Sequence, residues 1–152
     1  MQKIGNREIY AGVILFSSSL LLLTLCIFSF ISDLSGEGSV AFNHIFKRFF
    51  VLFLTVLAAK GGMQLLMRKT RGWEISLSLL IFFSGVMAYG FTAGYFSGVE
   101  TITAIIIQFL LVLGVVLLFS TRTKLKFQIS KKNAAPVVLL TATLALLYVF
   151  IQ

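Results

Sequence analysis

The sequence predicts an all-α fold: one integral membrane domain over residues 1–152, built as a polytopic bundle of about five transmembrane helices. Two observations support this. The composition is 59% hydrophobic and 12% charged, with a mean hydropathy of +1.02, whereas soluble domains are about half apolar and a quarter charged. The apolar residues also fall into runs near the length of roughly 20 residues that a helix needs to cross the hydrocarbon core.

Five apolar runs are separated by short polar segments. The predicted spans are residues 10–31, 49–67, 75–97, 101–120 and 136–152, the last of them at the short limit for a span. Residues 41–48, just before the second span, place aromatic and apolar residues at helical spacing with polar residues between them. This pattern predicts a short amphipathic segment on the membrane interface.

The positive charges predict the orientation of the bundle. Arg68, Lys69 and Arg71 lie between the second and third spans, and the loop after the fourth span is also rich in lysine. Because Lys- and Arg-rich loops stay in the cytoplasm, we expect a cytoplasmic N-terminus and an external C-terminus. The net charge of +8 does not indicate nucleic-acid binding, since the cations sit in turns between spans.

Small residues mark two candidate surfaces for helix packing or partner binding. Ala58 and Gly62 form a small-xxx-small pair in the second span. Gly90, Gly94 and Gly98 repeat every four residues at the end of the third span. Such spacing predicts a helix face nearly free of side chains, where another helix backbone approaches closely.

Two polar side chains within the spans are candidates for intramembrane contacts. Lys60 interrupts the second span, and a charge at the bilayer centre costs about 2.5–3.5 kcal/mol on insertion scales. Either its stem snorkels toward the inner surface, or its ammonium group faces a partner subunit or polar cavity. Gln108 is the only strongly polar side chain of the fourth span, and we expect it to bond to another helix.

Residues for catalysis are missing from the pattern. No predicted span contains aspartate, glutamate or histidine, and the chain has no phosphate-binding loop or paired carboxylates at usable spacing. The single cysteine, Cys26, excludes an internal disulfide or a multi-thiolate metal site. The sequence therefore predicts a protein that is not an enzyme, with no catalytic, cofactor-binding or metal-binding residues.

Several short motifs along the chain resemble one family, the small membrane subunit of bacterial tripartite tricarboxylate transporters. The first span opens with an arginine–acid pair followed by glycine, and an external glycine-rich turn precedes an aromatic residue. The second span ends in glycine, leucines and arginine, and a glycine–aromatic step and an aromatic C-terminal region follow. The corresponding residues are Arg7, Glu8, Gly12, Gly36, Gly38, Phe42, Gly61, Gly62, Leu65, Leu66, Arg68, Gly94, Tyr95, Tyr148 and Phe150.

This resemblance implies an accessory subunit of a carboxylate transporter in the bacterial cytoplasmic (inner) membrane. The implied partners are a larger multi-span membrane subunit, which would carry substrate and coupling ions, and a periplasmic binding protein. A different class remains open from the residues alone: an orphan bacterial membrane scaffold or an immunity-type protein with no transport role. A self-assembled channel would need Lys60 and Gln108 to line a pore.

Overall fold

A computed structural model describes residues 9–20, 24, 27, 42–95, 98–121, 123, 127–129 and 131–151 of the chain. These residues form five α-helices and no strand, which confirms the predicted all-α bundle. A short 3-10 turn, Lys131–Asn133, precedes the last helix. The helices are α1 (Ile9–Leu20), α2 (Phe42–Leu66), α3 (Thr70–Thr92), α4 (Val99–Phe119) and α5 (Ala134–Ile151).

The helices α2 to α5 are each long and apolar enough to cross a membrane. Their number and hydropathy give the chain the character of a multi-pass membrane protein. The predicted first span, residues 10–31, is helical over Ile9–Leu20 and at Thr24 and Ile27. Its other residues lie outside the part of the chain that the structure describes.

The helix boundaries differ from the predicted ones in two places. The predicted amphipathic segment 41–48 is not separate, since α2 runs without a break from Phe42 to Leu66. No glycine or proline interrupts that stretch before Gly61, so nothing ends the helix there. Helix α3 begins five residues before the predicted limit of 75, because its first turn includes Thr70 and Arg71 of the basic turn. It ends five residues before the predicted limit of 97, because Gly94 terminates it at φ 73°.

The described contacts fix the relative directions of the helices. Gly72 at the start of α3 lies against Leu65 at the end of α2, and Trp73 bonds to Leu118 at the end of α4. Helix α3 is therefore antiparallel to both neighbours. The start of α5 lies beside the start of α3, because Asn133 bonds to Glu74.

One end of the bundle consequently holds both basic connections, and we call it the basic end. It is defined by the described residues Arg68, Lys69, Arg71 and Lys132. Helix α1 also starts at this end, because Gly12 packs beside Leu66. This arrangement agrees with the predicted topology, in which every basic loop shares one side. That this side is the cytoplasm stays a prediction.

Helix α3 is the centre of the bundle and packs against α2, α4 and α5. Of the four apolar spans it is the most enclosed: 39% of the residues in its most apolar 18-residue stretch are buried, against 11% for α5. Because lipid tails are as apolar as leucine, exposed apolar side chains on the outer helices carry no penalty in a membrane. Most of α4 and α5 is exposed in this way.

Candidate functional site

The start of α3 is held tightly against the end of α2. A Cβ atom added at Gly72 would lie 2.4 Å from the carbonyl carbon of Gln64 and 2.4 Å from the amide nitrogen of Leu65. Only glycine permits this approach. The turn between α2 and α3 begins with a Schellman motif that ends α2. In it Arg68 has a φ of 59°, and the Lys69 N–H donates to the Gln64 carbonyl.

Hydrogen bonds from α3 reach two further elements at the basic end. The buried Trp73 Nε1–H donates to the Leu118 carbonyl at 2.9 Å, at the end of α4, where that carbonyl has no partner within its own helix. The Asn133 side chain donates to a Glu74 carboxylate oxygen at 2.7 Å. The Ser78 hydroxyl lies 3.3 Å from the Val137 carbonyl of α5. These groups tie α4 and α5 to α3.

The sequence did not identify this junction. The one sequence feature that marks it is the pair Gly72 and Trp73, a glycine and the only tryptophan of the sequence, directly after a basic turn. The acceptor on α4 is a backbone carbonyl, which has no sequence signature. All the polar groups named here bind other parts of the chain, so the junction is structural.

The glycine row Gly90, Gly94 and Gly98 does not form one helix face. Gly90 is buried inside α3, but Gly94 is the residue that ends the helix, at φ 73°, with the Tyr95 N–H bonded to the Gly90 carbonyl. Gly98 caps the start of α4 at φ 60°. A Cβ added at Gly94 or Gly98 would meet nothing within 4 Å. The predicted helix surface is therefore wrong at these two positions, which serve the turn geometry instead.

The small residues of α2 do lie at helix contacts. Ala58 is fully buried, and a Cβ added at Gly62 would lie 3.4 Å from the Gly12 carbonyl oxygen of α1. The neighbouring Gly61, which was not part of the predicted small-residue pair, faces α3: its added Cβ would lie 2.8 Å from Ile75 Cγ2. Two successive glycines thus admit two different helices, because consecutive residues point about 100° apart.

Lys60 lies on the outward face of α2. Its side chain is exposed, and it makes no hydrogen bond or ion pair with the residues that the structure describes. Exposed apolar side chains surround it at helical spacing, among them Val56 and Met63, which are 65% and 55% exposed. The described helices therefore leave a lone ammonium group on an apolar surface that none of them covers.

Gln108 joins α4 to the central helix. Its Nε2 donates to the Ser84 hydroxyl of α3 at 2.9 Å. The Oε1 of the same side chain is buried and has no hydrogen-bond partner among the described residues. Gln108 and Lys60 lie on different helices and point to different surroundings, one into the α3–α4 contact and one away from the bundle.

A groove with two lobes lies beside α5, and we call it the α5 groove. One lobe, of about 450 Å³, runs between α3 and α5 and is lined by Gly85 and Ala145 among others. The second lobe, of about 320 Å³, is closed on its other side by α2, including Lys47. Both lobes share Phe82 and Tyr148, whose rings meet edge to face with centroids 6.0 Å apart.

The described residues include no cluster of three or more His, Cys, Asp or Glu side chains able to hold a metal ion. No family model, curated protein or solved structure matches this chain. The candidate functional features are therefore the outward Lys60 surface and the α5 groove, both of which face the surrounding membrane or a partner.

Proposed function

We propose that this chain is a non-catalytic small subunit of the bacterial inner membrane, accessory to a larger multi-span transporter for carboxylates. The observation that carries the subunit proposal is the exposed Lys60 on an apolar face of α2. The carboxylate substrate class and the periplasmic binding protein come from the sequence resemblance described above. We expect the partner to supply the substrate and ion sites.

A lone cation on this surface has a clear energetic consequence. Exposure to lipid costs an ammonium group about 2.5–3.5 kcal/mol at the helix centre, and a carboxylate on a partner helix would offset that cost. Lys60 is six residues from Leu66, the last residue of α2, so it lies about 9 Å along the helix from that end. This depth admits snorkelling as the competing explanation, and substitution separates the two.

The remaining α2 surface supports an external partner. Ala58 is buried, Gly62 lies at the contact with α1, and Gly61 faces α3. The opposite face, with Val56, Lys60 and Met63, is exposed, and none of the helices that the structure describes lies against it. Partner association through that face would leave the internal packing unchanged.

Site-specific photocrosslinking in the native membrane tests the proposal directly. A photoreactive phenylalanine analogue replaces Val56 on the Lys60 face or, as the control, Val116 on α4. The two valines are similarly exposed, at 65% and 59%. We expect an adduct with one large multi-span protein from position 56 and none from position 116. Mild-detergent purification and mass spectrometry then identify the partner and any co-eluting binding protein.

Lys60→Leu and Lys60→Arg distinguish a paired lysine from a snorkelling one. If the ammonium pairs with a partner carboxylate, the leucine variant loses the partner and the arginine variant retains it. Full retention in the leucine variant would mean that the lysine only snorkels. A chain that elutes alone, with no adduct from either position, would overturn the subunit proposal and favour an orphan scaffold. A toxin as the crosslinked protein would favour the immunity-type alternative.

A further inference from the structure

The α5 groove is a cavity between the apolar spans that the described residues leave open. Helix α5 is bonded to the central helix near its start, through Asn133 and Val137. Further along, its Tyr148 ring contacts Phe82, and the two lobes open on either side of α3 residues that line both. Because protein interiors pack at crystal density, a space of this size loses dispersion contacts unless another molecule fills it.

The groove has the length of one membrane leaflet. Its lining on α5 extends from Thr141 to Ile151, a rise of ten residue steps or about 15 Å along the helix. The hydrocarbon core is about 30 Å thick, so the groove covers about half of it. The groove lies in the half away from the basic end, because α5 starts at the basic end and the lining residues belong to its later part.

The chemistry of the lining favours acyl chains with an anionic headgroup. The lobes are walled mainly by apolar and aromatic side chains, such as Leu54, Phe82 and Val86. Among the described residues of the lining, the one ionisable amine is that of Lys47, which is exposed and lies near the start of α2, at the end of the bundle opposite the basic end. A cation at that level faces the lipid phosphates, while the lobes behind it accept hydrocarbon.

We propose that the α5 groove binds one glycerophospholipid of the leaflet opposite the basic end. Its acyl chains lie in the two lobes, on the two sides of the Phe82–Tyr148 pair, and its phosphate lies against the Lys47 ammonium group. The lobe volumes, about 450 and 320 Å³, fall in the range of sites for small molecules. The proposal does not depend on the transporter assignment, because it concerns the opposite side of α2 from Lys60.

Native mass spectrometry of the delipidated full chain, titrated with phosphatidylglycerol, tests this site. We expect one saturable lipid per chain. Lys47→Gln should weaken binding about fivefold, the effect of one lysine near a lipid phosphate. Lys69→Gln, an equal charge change at an exposed site of the basic end, should leave it unchanged.

A second pair of variants tests the apolar lobes. Gly85→Leu adds a side chain to the wall of the larger lobe, where a Cβ meets nothing within 4 Å. Because the new side chain occupies volume that an acyl chain needs, saturable binding should weaken measurably. Ala142→Leu adds the same side chain at an exposed position of α5 outside the groove lining and should have no effect. Both leucine variants must elute as the folded chain on size exclusion.

The outcomes separate a lipid from other phosphates. Excess inorganic phosphate should not displace the lipid, because it cannot occupy the lobes. Displacement by inorganic phosphate, or equal binding by Gly85→Leu and Ala142→Leu, would overturn the acyl-chain assignment. Non-saturable uptake that is the same in all variants would show only general surface lipid and would also overturn the proposal.

Discussion

Replacing Gly72 with alanine should destabilise the chain by about 2–4 kcal/mol relative to Gly85→Ala. The new Cβ would stand 2.4 Å from backbone atoms of Gln64 and Leu65, which cannot rotate away as a side chain can. The start of α3 must therefore move from α2. Overpacking of this kind costs about 1–3 kcal/mol. The same movement separates Trp73 from the Leu118 carbonyl, at a further cost of about 1 kcal/mol.

Gly85→Ala is the matched control for this experiment. Both glycines belong to α3, so both substitutions gain helix propensity, up to about 1 kcal/mol, and the gain largely cancels in the comparison. At Gly85 the added Cβ meets nothing within 4 Å, so no packing cost opposes the gain. Gly85→Ala should consequently be neutral or stabilising.

The assay follows reversible unfolding in mixed micelles by the fluorescence of Trp73. This is the only tryptophan of the chain, and it lies next to the substituted residue in a buried position. Unfolding of the control variant monitored by the same tryptophan establishes the baseline. Stabilities of Gly72→Ala and Gly85→Ala within about 0.5 kcal/mol of each other would refute the close-approach argument, since the expected gap is several times larger.

Three further predictions use the same chain. Gly94→Ala should lose about 1–2 kcal/mol of stability in the unfolding assay, because Gly94 has a left-handed φ of 73° that a Cβ disfavours; a variant as stable as Gly85→Ala would contradict this. Trp73→Phe, followed by circular dichroism, should lose about 1 kcal/mol with its hydrogen bond to α4, and no loss would mean that the bond adds nothing. A topology reporter fused after Gln152 should report the external side, whereas a cytoplasmic signal would contradict the predicted orientation.

Hydropathy predicted the four long spans because the length and apolar composition of a span can be read directly from the sequence. It misplaced the start of α3 because polar residues such as Arg71 and Glu74 extend the helix beyond its apolar run, and it misplaced the end because Gly94 stops the helix inside that run. The spacing of Gly90 and Gly94 fits two different structures. Four residues is a helical repeat, but in a helix-ending turn the terminating glycine, here Gly94, also lies four residues after the residue whose carbonyl accepts the capping hydrogen bond, here Gly90.

Other features could not be predicted because they depend on where helices sit relative to one another. The need for glycine at position 72 arises only once the end of α2 is known to lie against it. The α5 groove arises because the far half of α5 packs incompletely against its neighbours, which no local sequence pattern encodes. Lys60 was visible in the sequence, but its outward direction was not.

The geometry of α2 makes the two proposals separable by experiment. Lys47 and Lys60 are 13 positions apart, so at about 100° per residue their side chains point about 140° apart around the helix axis. Phe50 and Leu54 lie on the Lys47 side and line the groove, whereas Val56 lies on the Lys60 side. Lys47→Gln should therefore weaken lipid binding without reducing partner crosslinking, and Lys60→Leu should do the reverse. If each substitution impaired both properties, the two lysines would serve one surface, and the assignment of opposite faces of α2 to lipid and partner would fail.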